Sequence, residues 1–182
     1  MGNIIHINHH KNGHAVDSVS MSNGGTAVFL DVLALSGSDL AVTDREKEFI
    51  IWLNQRDQSI VGIGTVGFNI NEMPWTKEGF AVHKKFLLSV IDSAANRQRW
   101  HVLSYRPNYE IIYSNLTQFR DLISAFQEEQ VDESEYDYWS SKEEDEINPT
   151  IPDGFPKCES HSVLLSCHGC LICNFEKTEG KC

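Results

Sequence analysis

All five cysteines of this 182-residue chain fall between positions 158 and 182, and this clustering constrains the fold more than any other feature. They appear as Cys158-x-x-His161 followed by Gly169-Cys170-x-x-Cys173, with Cys167, His168 and Cys182 close by. A segment this short cannot bury enough apolar surface to order itself, so it needs a cross-link. Disulfides fit poorly: the cysteine count is odd, the rest of the chain has none, and the opening Met1-Gly2-Asn3-Ile4-Ile5-His6 lacks the basic and apolar regions of a secretory leader. A metal ion in a reducing compartment fits better, and the expected location is cytoplasmic.

A tetrahedral Zn2+ needs four inward-pointing ligands, and two short-spaced pairs supply them with little chain. Cys158 and His161 form one pair, and Cys170 and Cys173 the other. The residues between them suit two brief strands and a turn, as in a zinc ribbon or zinc knuckle, with Gly169 letting backbone N–H groups approach the thiolates. Cys167, His168 and Cys182 are alternate ligands, and a Cys167/Cys170/Cys173/Cys182 set competes with the first. Four protein ligands leave no open position for water, so the ion is expected to be structural. Nucleobase deaminases also use His or Cys with Cys-x-x-Cys, but they need a Glu two residues after the first ligand, where this chain has Val163.

A second candidate metal site is His6, His9, His10 and His14, with Asp17 as a further ligand. His10-x-x-x-His14 has the spacing of one helix face, but Gly13 interrupts it and the Glu of a zincin is missing. Gly62-x-Gly64-x-x-Gly67 spells the dinucleotide fingerprint. It follows a helix pattern rather than a strand, and Pro74 comes where a helix would have to run, so a tight connection is expected instead of a cofactor site.

The net charge of −11 is local. Residues 1–126 hold 12 acids against 11 Lys and Arg, whereas residues 127–146 hold ten acids against Lys142 alone. The acidic block excludes a nucleic-acid surface by the usual electrostatic argument and suits a basic protein partner, or else a solvated linker. Tyr136, Tyr138 and Trp139 give it docking capacity. No apolar run approaches the ~20 residues that would cross a bilayer, so no membrane span is expected.

Apolar periodicity predicts a mainly α protein. Val28, Val32 and Leu35, with Phe29 and Leu33, indicate a helix over 24–36 that stops at Ser36-Gly37. Thr43-Asp44-Arg45-Glu46 has the capping-box form and opens a helix over 44–56 that buries Phe49, Ile50 and Leu53. Thr76 is the expected cap of a helix over 77–97 carrying Phe80, Leu87, Ile91 and Ala94. Asn108 caps a fourth, with Ile112, Leu116, Phe119, Ile123 and Phe126 on one face. The expected organisation is a His-rich arm over 1–23, a helical body over 24–126, an acidic, Pro-containing linker over 127–157, and a zinc module over 158–182. With no catalytic constellation apparent, the expected role is a non-enzymatic partner-binding protein, such as an immunity protein or a defence-complex accessory subunit. The alternative is an enzyme using the N-terminal histidines.

Overall fold

The architecture comes from a computed structural model that describes residues 2–7, 18–141 and 149–178. It is rich in helix, with a few short strands. The strand β1 (Gly2–His6) pairs antiparallel with β2 (Ser18–Ser22), placing Ile5 opposite Val19. Period-two alternation explains the pairing: Ile5, Ile7, Val19 and Met21 are buried while Ile4 faces out. The stretch expected as an irregular arm therefore contributes two paired strands at its ends.

Helix α1 (Asn23–Leu40) follows β2 directly, with Ser22 Oγ accepting from Gly25 N. Its residues 29–38 are buried all round, as expected of a central helix. It runs past the predicted stop at Ser36-Gly37 because Gly37 faces Ile50, where a Cβ would lie 2.2 Å from Ile50 Cδ1. That glycine permits close packing of α1 on α2 (Asp44–Asn54). The Thr43 capping box forms as predicted, with Glu46 N donating to Thr43 Oγ1 and Thr43 N to Glu46 Oε2.

A two-stranded hairpin, β3 (Asp57–Gln58) with β4 (Gly64–Thr65), occupies the glycine-rich stretch. The strand β5 (Phe68–Asn69) then joins β1 in parallel, giving the order β2-β1-β5. Helix α3 spans Phe80–Ala95. Thr76 does not cap it; α3 begins after Gly79, which the imidazole of His83 overlies so closely that an added Cβ would sit 2.3 Å from its ring. Helix α4 (Tyr109–Ala125) starts at the predicted cap, with Asn108 Oδ1 accepting from Ile111 N. All five apolar residues of its predicted stripe are buried. Trp75 joins Phe49, Phe80 and Phe126 in an aromatic cluster with centroids 4.9–5.3 Å from it, and its Nε1 donates to Ile70 O at 2.9 Å.

The described part of the acidic segment is folded. Helix α5 (Glu133–Ser141) docks through buried Trp139, whose Nε1 donates to Gln55 Oε1 at 2.7 Å, and through Tyr136, which stacks under the Arg45 guanidinium at 3.8 Å. Its aromatic residues overcome the self-repulsion that the acids alone would produce. Residues 142–148, with the remaining acids, lie outside the described residues.

Asp31 is a buried carboxyl on α1. It accepts a hydrogen bond from Tyr105 Oη at 2.5 Å, and Tyr105 in turn packs edge-on against Phe175. Burial outweighs the stabilising Tyr105 bond and, with Asp57 and Glu176 nearby, raises its pKa from 3.8 to about 7. The folded state thus binds more protons than the unfolded state across that window. The contribution is complete below the unfolded value and is lost as pH rises through the folded one. Asp31→Asn is expected to gain stability over the native chain by up to about 4 kcal/mol at pH 8 and to differ far less at pH 4. Urea midpoints at the two pH values measure this, and an equal difference at both would contradict it.

Candidate metal centre

The C-terminal segment begins with Gln55 Nε2 donating to Thr150 O at 2.6 Å, which anchors the turning approach to Cys158. Cys158 opens a tight turn in which Ser162 N donates to Cys158 O and Cys158 N to Val163 O, both at 2.8 Å. Closing the turn forces Ser162 into the left-handed region at φ 53°. The turn places His161 back over Cys158. Lys157 then bridges Leu164, and Ser166 bridges Gly169, so the chain reverses in a small hairpin. Gly169 has φ 80°, which a side chain would oppose, and its N–H donates to Ser166 O. That N–H serves the turn, while other backbone N–H groups approach the sulfurs, those of Ser160 and His161 at Cys158 and that of Cys173 at Cys170. Cys170 immediately precedes α6 (Leu171–Thr178), and Cys173 follows in its first turn, where Asn174 N donates to Cys170 O. The second pair is therefore presented by a helix rather than by a second knuckle, because Leu171 and Ile172 between the cysteines seek the core.

This local folding brings four ligand atoms together. Those of Cys158, His161, Cys170 and Cys173 lie within 4.8 Å of one another. His161 Nδ1 is 3.7 Å from Cys158 Sγ, 3.7 Å from Cys170 Sγ and 3.3 Å from Cys173 Sγ, and the Cys158 and Cys173 sulfurs are 3.6 Å apart. Those sulfurs are far beyond the ~2.05 Å of a disulfide. A tetrahedron with metal–sulfur bonds of about 2.3 Å and a metal–nitrogen bond of about 2.0 Å has edges of about 3.8 Å between sulfurs and about 3.5 Å from sulfur to nitrogen. The spacings match, so the group can hold a metal ion at its centre.

The surroundings favour the same use. His161 is buried, and its other ring nitrogen, Nε2, lies 3.5 Å from Glu176 Oε1, which turns Nδ1 toward the sulfurs. Its backbone carbonyl accepts from the Arg99 guanidinium at 2.5 Å, and Arg99 also pairs with Asp39 at 2.9 Å. Burial pushes the Cys158 thiol up, but hydrogen bonds from the His161 backbone and side chain, and from Ser160, bring it down to about 7. Burial is the largest influence on Cys170 and Cys173 and pushes both thiols up. Without an ion, the Cys170 and Cys173 thiols resist becoming thiolates; a cation reverses that balance.

The cluster is also fastened to the helical body. Leu164 N donates to Ser38 Oγ at 2.9 Å, Asn54 Nδ2 donates to Leu164 O at 2.8 Å, and Lys157 Nζ donates to Ser38 O at 2.7 Å. Val163, Leu164, Leu171 and Ile172 are buried in the same core as α1 to α4.

The alternates fall elsewhere. Cys167 lies by Gln55, whose Nε2 is 3.7 Å from its sulfur, and the His168 backbone bonds to Ser166 and Asn174; neither belongs to the cluster. Cys182 lies outside the described residues. Of the N-terminal histidines, His6 sits on β1, while His9, His10 and His14, with Asp17, lie outside the described residues. Among the described residues the C-terminal group alone has metal-holding geometry. The sequence reading missed Glu176 and Arg99. Glu176 was legible as the residue one helical turn after Cys173; Arg99 comes from the α3–α4 connection and had no local signal.

Comparison with protein-family models, with curated proteins and with solved structures found no match.

Proposed function

We propose that Cys158, His161, Cys170 and Cys173 hold one Zn2+ as a structural ion in a cytoplasmic protein that works by binding a protein partner rather than by catalysis. The observation that carries this reading is the closed ligand set: three sulfurs and one nitrogen at tetrahedral spacing leave no position for a reactive water. Three cysteine sulfurs with one imidazole also suit Zn2+ better than Ca2+ or Mg2+, which take oxygen ligands.

What the ion supports is a surface. Helix α6, anchored by Cys170 and Cys173, contacts the turn of residues 59–61 in the β3–β4 hairpin. There Ile60, Val61 and Ile63 stand 48%, 57% and 63% exposed. Three neighbouring aliphatic side chains on one hairpin tip have no use in water and suit a protein interface. Helix α5 adds Glu133, Glu135 and Asp137 with exposed Tyr138, which suits a basic rim on the partner. Toxin-neutralising immunity proteins and accessory subunits of defence complexes are the kinds of protein this description fits.

The test is affinity capture from the native cell with the tagged full chain, beside an Ile60→Ser, Val61→Ser, Ile63→Ser variant. The native chain is expected to capture a defined basic protein, and the variant to lose it while keeping one zinc and an unchanged melting temperature. The same capture by both chains would overturn the partner surface. A second bound metal, lost on changing His10 and His14, would overturn the non-catalytic reading.

A further inference from the structure

A cavity of about 700 Å³ opens where α3 connects to α4, on residues that the metal centre does not use. Trp100, Tyr105 and Tyr109 contribute aromatic walls, and Arg97 and Arg106 contribute positive charge. Its size lies within the range of small-molecule sites.

Charge sets this cavity apart from the rest of the molecule. In a chain of net charge −11, three of the six arginines fall within residues 97–106, and that stretch has no acidic residue. Arg99 is consumed by Asp39 and the His161 carbonyl. Arg97 and Arg106 are exposed and pair with no carboxylate among the described residues. Among the described residues, the one acid lining the cavity is Glu110. The cavity also lies at the start of the 17-residue helix α4, whose dipole favours an anion.

The connection is held in an unusual shape. Arg97 and Arg99 both have left-handed backbones, at φ 62° and 59°, where glycine or asparagine would be easier. Hydrogen bonds from Gln98 N to Ser93 O and from Trp100 N to Arg97 O maintain it. The outcome is a guanidinium of Arg97 placed over Tyr109, with Cζ 3.8 Å from the ring centroid. Trp100 is 9% exposed, and its Nε1 donor is buried without a partner. The cavity thus offers an acceptor two arginines that pair with no described carboxylate.

We propose that this cavity binds a small anion carrying a planar ring, the phosphate monoester of an aromatic or heteroaromatic group. The oxyanion lies between Arg97 and Arg106, and the ring lies against the aromatic wall of the cavity. This site shares no residue with the partner surface or the metal cluster; Tyr105, which packs on Phe175 of α6, and the neighbouring Arg99, which bonds the His161 carbonyl, connect the two regions.

Calorimetric titration of the full, zinc-loaded chain tests the site with four probes: adenosine monophosphate, phenyl phosphate, inorganic phosphate and adenosine. The two ring-bearing phosphates are expected to bind at one site per chain, at least about tenfold tighter than inorganic phosphate or adenosine. Arg97→Gln and Arg106→Gln, both at exposed positions, are each expected to weaken binding about tenfold with no change in melting temperature, and Glu110→Gln to tighten it. Adenosine binding as well as its monophosphate would overturn the anion half of the proposal. Inorganic phosphate binding as well as the esters would overturn the ring half. No saturable binding by any probe, or binding that neither arginine variant weakens, would overturn the whole.

Discussion

Replacing Cys170 and Cys173 together by serine is expected to release the metal ion and to lower the melting temperature by about 10 °C or more. The size follows from what the two cysteines anchor. Leu171 and Ile172 between them are 2% and 0% exposed, and α6 also braces the 59–61 turn. Without the ion, Cys158 and His161 become half-buried or buried polar groups with their geometry unsupported, and a short helix such as α6 has little stability of its own. Loss of a structural metal belongs to the few changes that remove about 4 kcal/mol or more. Helices α1 to α4 share an aromatic and aliphatic core that does not need the ion, so most helical signal in circular dichroism is expected to persist at low temperature. Cys167→Ser is the matched control: its sulfur lies by Gln55, outside the cluster, and the variant is expected to keep its zinc and melt within a few degrees of the native chain. Calorimetry with metal analysis on both variants distinguishes this from the Cys167-containing alternative, which reverses the control.

Gly67→Ala is expected to destabilise the protein by about 2–4 kcal/mol. A Cβ there would stand 2.3 Å from Ile4 O and 2.7 Å from Ile4 N, both backbone atoms that cannot swing aside. Relief requires β5 to move off β1, which pulls at the Ile5–Phe68 register. Phe68 is 3% exposed and packs edge-on against Trp52 and Phe119, so the displacement reaches the core. Gly24→Ala provides the contrast: a Cβ there meets nothing within 4 Å and replaces a poor helix former, for an expected gain of up to about 1 kcal/mol. Urea denaturation of the two variants measures both effects, and a neutral Gly67→Ala would contradict the strand register.

Gly67 also shows what the sequence disclosed. The fingerprint Gly62-x-Gly64-x-x-Gly67 is used entirely for backbone geometry. Gly62 and Gly64 take φ 81° and 89° in the hairpin, and Gly67 admits β1. Its flanking pattern excluded the cofactor reading, but the strand partner, Ile4, is 63 residues away and carries no local mark. Helices α2 and α4 were legible to their caps because Thr43, Glu46 and Asn108 act within one turn. The start of α3 was not, since Gly79 and His83 settle it by side-chain packing rather than by capping.

The four clustered residues were readable from spacing because each pair acts over three residues. The helix that follows Cys170 and carries Cys173 was harder to see, as its eight residues read equally as a strand. The acidic segment misled in a different way: ten acids in one block suggested a solvated linker, while Trp139 and Tyr136 dock its described part on Gln55 and Arg45. Charge counts weigh every acid alike, but one buried and one half-buried ring decide where the helix lies.

X-ray absorption at the zinc edge tests the metal centre most directly. The protein as isolated, without a histidine tag, is expected to show one zinc with three sulfur ligands at about 2.3 Å and one imidazole nitrogen at about 2.0 Å. A shell of four sulfurs, or one rich in nitrogen and oxygen with a bound water, would contradict the Cys158/His161/Cys170/Cys173 assignment and the structural role built on it.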